Sequence, residues 1–312
     1  MQLKKFGLSA CLSLLAGALP LLGMSAAQAT LPLTIASTIS LQPSAQPDQL
    51  EQWFEEGKQL LDADKPAEAL LMFEKVLKAD ASYLNAWIGK GYALHTLQRY
   101  PAAIAAFQQA TKLNPSAVAA WIGLGIALDD GGQREAGLAA FDRALKIDPQ
   151  DAYAWYNKGV VLGRLKRLEE AIAAYDQAVR LEPALVSAWK NRGIDLMSLK
   201  RFEEALQSFA QYVQLRPDQA DGWYLQGNAL FGLEQYEKAI ASYDQVIKIA
   251  PQSEWAWYNK AMALTNLKRY KAAIASLEES LKINPNNQDA KQARQELLQL
   301  IATRSEVTAL RL

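Results

Sequence analysis

Two apolar stretches at helical spacing, split by a short polar turn, alternate along most of the chain. The alternation repeats every 34 residues, and a tryptophan marks each repeat. Glycine recurs four positions after the tryptophan until Ala261 breaks the series, alanine or glycine recurs sixteen positions after it, and Phe, Tyr or Leu twenty positions after it. The marking residues are Trp53, Trp87, Trp121, Trp155, Trp189, Trp223 and Trp257.

Each repeat is predicted to form two packed helices. Its small residues let two backbones approach closely, while the tryptophan and the later aromatic residue fill the space between them and the next repeat. Proline, which cannot continue a helix, closes six of the seven repeats. Caps for the next helix are expected at Ser116, Asp151, Asp218 and Ser253.

One helix pair cannot bury both of its faces alone, so the pairs are predicted to stack into an all-α solenoid. A polar-faced helix over residues 288–312 is predicted to cap the last pair. The seven predicted repeats are residues 50–83, 84–117, 118–151, 152–185, 186–219, 220–253 and 254–287.

The pattern of Trp, Gly, Ala, Phe and Pro at this period resembles the tetratricopeptide repeat (TPR) family over residues 50–287. The resemblance implies a right-handed α-solenoid whose concave groove is lined by the first helix of each pair. It also implies that the groove binds a peptide or a partner protein. WYNKG at Trp155–Gly159 and WYNKA at Trp257–Ala261 are then repeat signatures, not a duplicated active site.

The family's groove positions lie two before the tryptophan and one, two, five, eight and nine after it. Aromatic and amide residues gather there in the C-terminal repeats. Amides can pair with any peptide backbone, and aromatics combine apolar area with a polar tip. The alternative is that Tyr and Asn occur there because the fold commonly uses them. The predicted peptide-binding residues are Tyr153, Tyr156, Asn157, Lys190, Asn191, Tyr224, Asn228, Trp255, Tyr258 and Asn259.

Composition argues against other classes of function. His95 is the single histidine, so the sequence offers no histidine cluster for a metal, and no metal, cofactor or enzymatic activity is expected. Asp129 and Asp130 are expected in a solvated turn. The net charge of zero gives no basic field for nucleic acid. Two alternatives remain: a scaffold that uses its convex face or caps with an empty groove, and an RNA-binding helical repeat.

The first 29 residues are predicted to be a secretory signal peptide. They join two lysines to an apolar run and to an A-x-A site at Ala27–Ala29. The alternative is an uncleaved membrane anchor over the charge-free residues 6–24, which would be the chain's membrane contact. Residues 30–49, rich in Pro, Ser, Thr and Gln, are predicted to be a flexible linker. The protein is therefore expected to be exported, as a bacterial periplasmic, lumenal or secreted protein.

Overall fold

A computed structural model describes residues 47–309, with side chains as far as residue 303. The predicted signal peptide and most of the predicted linker lie outside the described residues. Within residues 47–309 the chain forms fifteen helices and no strand, which confirms the all-α prediction. The helices are α1 Pro47–Asp62, α2 Pro66–Ala79, α3 Leu84–Thr96, α4 Tyr100–Leu113, α5 Val118–Asp130, α6 Arg134–Ile147, α7 Ala152–Arg164, α8 Leu168–Leu181, α9 Val186–Ser198, α10 Phe202–Leu215, α11 Ala220–Gly232, α12 Tyr236–Ile249, α13 Glu254–Asn266, α14 Tyr270–Ile283 and α15 Gln288–Ala309.

The chain divides between Pro149 and Gln150 into two compact units. They are called the N-terminal half (α1–α6) and the C-terminal half (α7–α15). In each half the two helices of a pair pack on each other, and the second helix also packs on the first helix of the next pair. Consecutive first helices also touch, α1 with α3 and α3 with α5 in one half, α7 with α9 and α9 with α11 in the other. In the C-terminal half α13 continues the series, since Asn259 bonds Tyr224 and Asn228 of α11. Within each half, the surface that the first helices share is called its first-helix face.

Within each half, the large side chain twenty positions after the tryptophan is buried where one helix pair packs on the next, a contact that we call a joint. Phe73 is fully buried against two glycines, Gly57 of its own pair and Gly89 of the next. A Cβ added at Gly57 or Gly89 would lie 2.7 or 2.6 Å from a ring carbon of Phe73, closer than packed atoms come. The predicted close approach is confirmed here, and the second glycine extends it to the next pair.

The tryptophans themselves remain half-buried and act on the turns. The indole Nε1–H of Trp121 donates to the carbonyl of Pro115, six residues earlier, at 2.9 Å. Trp87 makes the same bond to Ala81 at 2.9 Å, so the carbonyl rather than the proline ring is what the bond needs. The tryptophans were predicted to fill interhelical space, and the structure adds this bond to the turn. The same bond joins Trp189 to Pro183, Trp223 to Pro217 and Trp257 to Pro251.

The helix ends differ in part from the prediction. Pro47 and Asp48, placed in the linker by sequence, form the first turn of α1, where proline and an acid are favoured. Asp151 caps α7 as predicted, since its Oδ1 accepts from the Ala154 N–H at 2.7 Å. Ser116 and Asp218 were wrong as caps, because the helices begin one residue later. Ala117 and Gln219 occupy their N-cap positions.

Helix α15 covers the end of the C-terminal half. Ala290, Ala293 and Leu297 are buried in one cluster with residues of α13 and α14. Asn287 starts the helix, its Oδ1 accepting from the Ala290 N–H at 2.9 Å. Along residues 47–309 we find no helix long and apolar enough to cross a membrane.

Candidate functional site: the first-helix face of the C-terminal half

Tyr153 and Tyr156 lie one turn apart at the start of the first-helix face in this half. Tyr153 is 60% exposed, which is unusual for so large an apolar ring. Tyr156 is half-buried, with its ring centroid 6.2 Å from that of Tyr175 on α8. The two tyrosines thus offer aromatic surface on a rigid helix, with Tyr156 held from behind.

The asparagines two positions after Trp155 and Trp189 are already bonded within the fold. The Asn157 Nδ2 donates to the carbonyl of Tyr153 in its own helix at 2.8 Å. Asn191 hydrogen-bonds the hydroxyl of Tyr175, whose pKa is strongly raised by burial. These bonds use part of the donor capacity that the sequence prediction assigned to a bound peptide.

Asn228 and Asn259 form a buried network with two tyrosines. Asn228 Oδ1 accepts from the Tyr243 hydroxyl at 2.9 Å and from Asn259 Nδ2 at 3.1 Å. Asn259 Nδ2 also donates to the Tyr224 hydroxyl at 3.1 Å. Asn228 and Asn259 are only 9% and 6% exposed. The network gives the buried hydroxyl of Tyr243 a hydrogen-bond partner, at a position where most other repeats have phenylalanine. Both asparagines therefore have a structural role.

Lys190 belongs to a second polar group on this face. Its Nζ donates to Asp221 Oδ2 at 2.6 Å, and the Tyr212 hydroxyl donates to Asp221 Oδ1 at 2.6 Å. Burial alone would raise the pKa of the Asp221 carboxyl, but the bonds from Lys190 and Tyr212 lower it below its usual value. Asp221 is therefore ionised at neutral pH, and its charge is balanced by Lys190.

Trp255 and Tyr258 lie at the far end of the face. Their rings meet edge to face, with centroids 6.2 Å apart. Tyr258 is buried in the cluster of α13, α14 and α15, while Trp255 packs on that cluster and stays half-exposed. Tyr258 thus contributes to the core, and Trp255 presents the accessible ring.

Asp195 on α9 was not among the residues predicted from the sequence. Burial raises the pKa of its carboxyl to about 6, although the positive charge of Lys166 lowers it. A Cβ added at Gly163 on α7 would lie 3.1 Å from Asp195 Oδ2. The sequence did carry a signal, because Asp195 lies six positions after the tryptophan of its repeat, where five of the other repeats have Ala or Val.

The acidic pair in the N-terminal half also differs from the prediction. Asp129 is 5% exposed rather than solvated, with Arg134 Nε 3.5 Å from its Oδ1. Asp130 Oδ2 lies 2.9 Å from His95 Nε2 across neighbouring first helices. Among the residues whose side chains are described, no cluster of three or more His, Cys, Asp or Glu could hold a metal ion.

Comparison with known families agrees with this architecture. Models of the tetratricopeptide repeat match residues 54–118, 96–152, 122–185, 190–254 and 226–298. Since these matches cover well over half of the sequence, the chain belongs to the tetratricopeptide repeat family. Proteins of this family act as scaffolds for protein–protein interaction and are generally not enzymes. A search of curated proteins finds no significant match.

Solved structures share the fold at low sequence identity. YrrB, described as a TPR protein with an unusual peptide-binding site, is 22% identical with a TM-score of 0.58, over 62% of this chain and 99% of its own. The C-terminal part of a TPR protein from Cytophaga hutchinsonii is 17% identical with a TM-score of 0.65, over 77% and 98%. PilF of Pseudomonas aeruginosa is 19% identical with a TM-score of 0.55, over 70% and 97%.

Proposed function

We propose that this protein is a non-enzymatic scaffold that binds a segment of a partner protein on the first-helix face of its C-terminal half. The observation that carries the proposal is Tyr153, an exposed aromatic ring beside the half-buried Tyr156 on a rigid helix. Rigid aromatic side chains supply large contact area at little cost in conformational entropy, and they dominate binding energy at many interfaces.

The proposed surface is narrower than the set of residues taken from the sequence. It consists of Tyr153, Tyr156, Tyr224 and Trp255, whose rings retain access to solvent. The proposed surface leaves out three residues that are buried beneath it, Tyr258, Asn228 and Asn259. YrrB, described as having an unusual peptide-binding site, supports the proposal by analogy, because a likeness at 22% identity shows a shared fold.

Site-specific photocrosslinking tests the proposal in the full-length chain. A benzoylphenylalanine at position 153 reports on the first-helix face, and one at the exposed Glu203 on the second helix α10 is the matched control. We expect a protein adduct from position 153 that Tyr156→Ala weakens, and little from position 203. Adducts mainly from position 203 would move binding to the second helices, as in the alternative with an empty groove. Adducts removed by ribonuclease would favour the RNA-binding alternative.

The proposed setting is the cell envelope of a bacterium, where the scaffold would serve as an assembly or adaptor factor. This rests on the sequence of residues 1–29, with their lysines, apolar run and A-x-A site. Fractionation of the source cell with N-terminal sequencing tests it. A chain beginning at Thr30 in a soluble envelope fraction is expected. An intact N-terminus in the membrane fraction would favour the anchor, and an intact chain in the cytosol would refute export.

A further inference from the structure

Two adjacent repeats depart from the pattern of the array together. Six positions after the tryptophan, the fifth repeat has Asp195. Eight positions after it, the fourth repeat has Gly163, where other repeats carry a side chain. The residues equivalent to Asp195 in five other repeats are all buried and apolar: Ala93, Ala127, Val161, Ala229 and Ala263.

The two departures meet in space between the first helices α7 and α9. Since a Cβ on Gly163 would lie 3.1 Å from Asp195 Oδ2, the carboxylate lies where a side chain of α7 would otherwise be. The equivalent residues Ala229 and Ala263 follow repeats that carry Met197 and Phe231 at the glycine position, and they are 0% exposed. Asp195 keeps partial access to solvent. The missing side chain at Gly163 therefore leaves room for the carboxylate between α7 and α9, while Asp195 as a whole stays partly exposed.

The charge of Asp195 has little compensation within the fold. Over the described residues no protein donor bonds to its Oδ2, which is itself buried. The cation that acts on it is Lys166, in the exposed turn after α7. Arg192 on the same helix is bound by Asp176 at 2.6 Å.

Two other polar groups, on α8 and α9, have partners of their own. The negative charge of Asp195 raises the pKa of the Tyr175 hydroxyl on α8, and the positive charge of Arg164 lowers it. Asn191 hydrogen-bonds the same hydroxyl. Lys190 on α9 is held by Asp221. A carboxylate in apolar surroundings without a close partner destabilises the folded protein, so its presence at this one repeat calls for a compensating group.

We propose that Asp195 accepts a hydrogen bond from an arginine or lysine side chain of the protein segment bound on this face. The proposal rests on the proposed function and adds the chemistry of the ligand. A cation supplied by the ligand would pair with the carboxylate in a partly desolvated site, where such bonds are strong. The cation would approach the part of Asp195 that stays exposed to solvent, since Oδ2 is buried against Gly163.

The geometry also sets the spacing of the recognised residues. Gly163 follows Tyr156 by seven positions on α7, or about 10 Å along the helix axis. An extended peptide covers that distance in about three residues. The preferred segment therefore carries a side chain that contacts Tyr156 and, about three residues away, an arginine or lysine.

Selection from a phage library of random twelve-residue peptides tests this on the full-length chain. The parent, Asp195→Asn and Glu203→Gln are used in parallel, the last being a matched loss of one exposed negative charge. We expect the parent and Glu203→Gln to enrich a basic residue at a fixed distance from an aromatic or apolar one. Asp195→Asn should enrich peptides without that basic residue and bind the parent's peptides about tenfold more weakly.

Gly163→Ala provides a second variant that keeps the charge of Asp195. Its added methyl group would lie 3.1 Å from Oδ2 and displace the carboxylate, so it too should weaken binding of the basic peptides. Binding by the parent should strengthen as pH rises through about 6, whereas binding by Asp195→Asn should not. Selected peptides with no basic preference, or with one that Asp195→Asn retains, would overturn the role of Asp195 alone. A library that yields no peptide for the parent would overturn the proposed function as well.

Discussion

Replacing Asp195 by asparagine should stabilise the protein at neutral pH. Asparagine has nearly the same shape as aspartate and carries no charge. The folded protein raises the pKa of this carboxyl from 3.8 to about 6. At about 1.36 kcal/mol per pKa unit, that corresponds to about 3 kcal/mol of destabilisation when the group is ionised. Because Asp195 keeps some contact with solvent, screening reduces the expected gain to about 1–2 kcal/mol.

The pH dependence has a definite sign. Between pH 3.8 and about 6 the folded state binds more protons at Asp195 than the unfolded state, so this group's contribution to stability falls as pH rises. The advantage of Asp195→Asn should therefore be full above about pH 6 and vanish towards about pH 4, where the parent carboxyl is protonated. Other carboxylates titrate equally in both proteins and cancel in the difference.

Urea unfolding followed by circular dichroism measures the effect. The free energy of unfolding of Asp195→Asn and of the parent is compared at about pH 7.5 and about pH 4, with Glu203→Gln as a control expected within about 0.5 kcal/mol of the parent. An asparagine variant that is equal to or less stable than the parent at the higher pH would refute the reasoning. It would mean that Asp195 is compensated by a group we have not identified.

Three further predictions concern the joints and one helix cap. Tyr243→Phe and Asn259→Ala should each destabilise the protein by about 1–3 kcal/mol, and the double variant by more than the sum, since each single change leaves Asn228 Oδ1 one of these two donors and the double change leaves it neither; urea unfolding of the four proteins measures this, and strict additivity would contradict the network. Gly91→Ala should cost about 1–3 kcal/mol and lower the melting temperature, because its Cβ would lie 2.6 Å from a ring carbon of Phe107; an unchanged melting temperature would show that the joint yields. Asp151→Ala should cost about 1 kcal/mol and speed hydrogen exchange of the Ala154 amide, and unaltered exchange would show that the cap is not needed.

The recurring positions made the fold predictable from sequence. Helices α3, α5, α7, α9, α11 and α13 begin where the predicted repeats begin, because period and helix stop signals agree. Helix α2 ends at Ala79 in the same register although Ala81 replaces proline. The Trp87 indole bond to that carbonyl supplies a cue that a search for proline cannot see.

The roles of the asparagines on this face were less predictable, because an asparagine at these positions can bond a peptide or the fold itself. Asn191 and Asn259 were assigned to a peptide from their place in the repeat, but each follows a repeat with tyrosine at the joint. Their amides bond the hydroxyl of Tyr175 or join the network of Tyr243. The sequence held this signal, since Phe73 and Phe107 are followed by Gly89 and Gly123 at the same position. Reading it requires knowing that these two positions meet across the joint.

The tryptophan bond to the turn has a consequence for how the chain folds. It joins residues that are six positions apart in the sequence. The bond from Asn259 to Tyr224, between adjacent repeats, joins residues that are 35 positions apart. Contacts so local in sequence need little loop closure, which is the physical condition for rapid folding. Each joint can therefore form once two consecutive repeats have left the ribosome, without waiting for the C-terminus. The order of synthesis would then also be an order of assembly along the array.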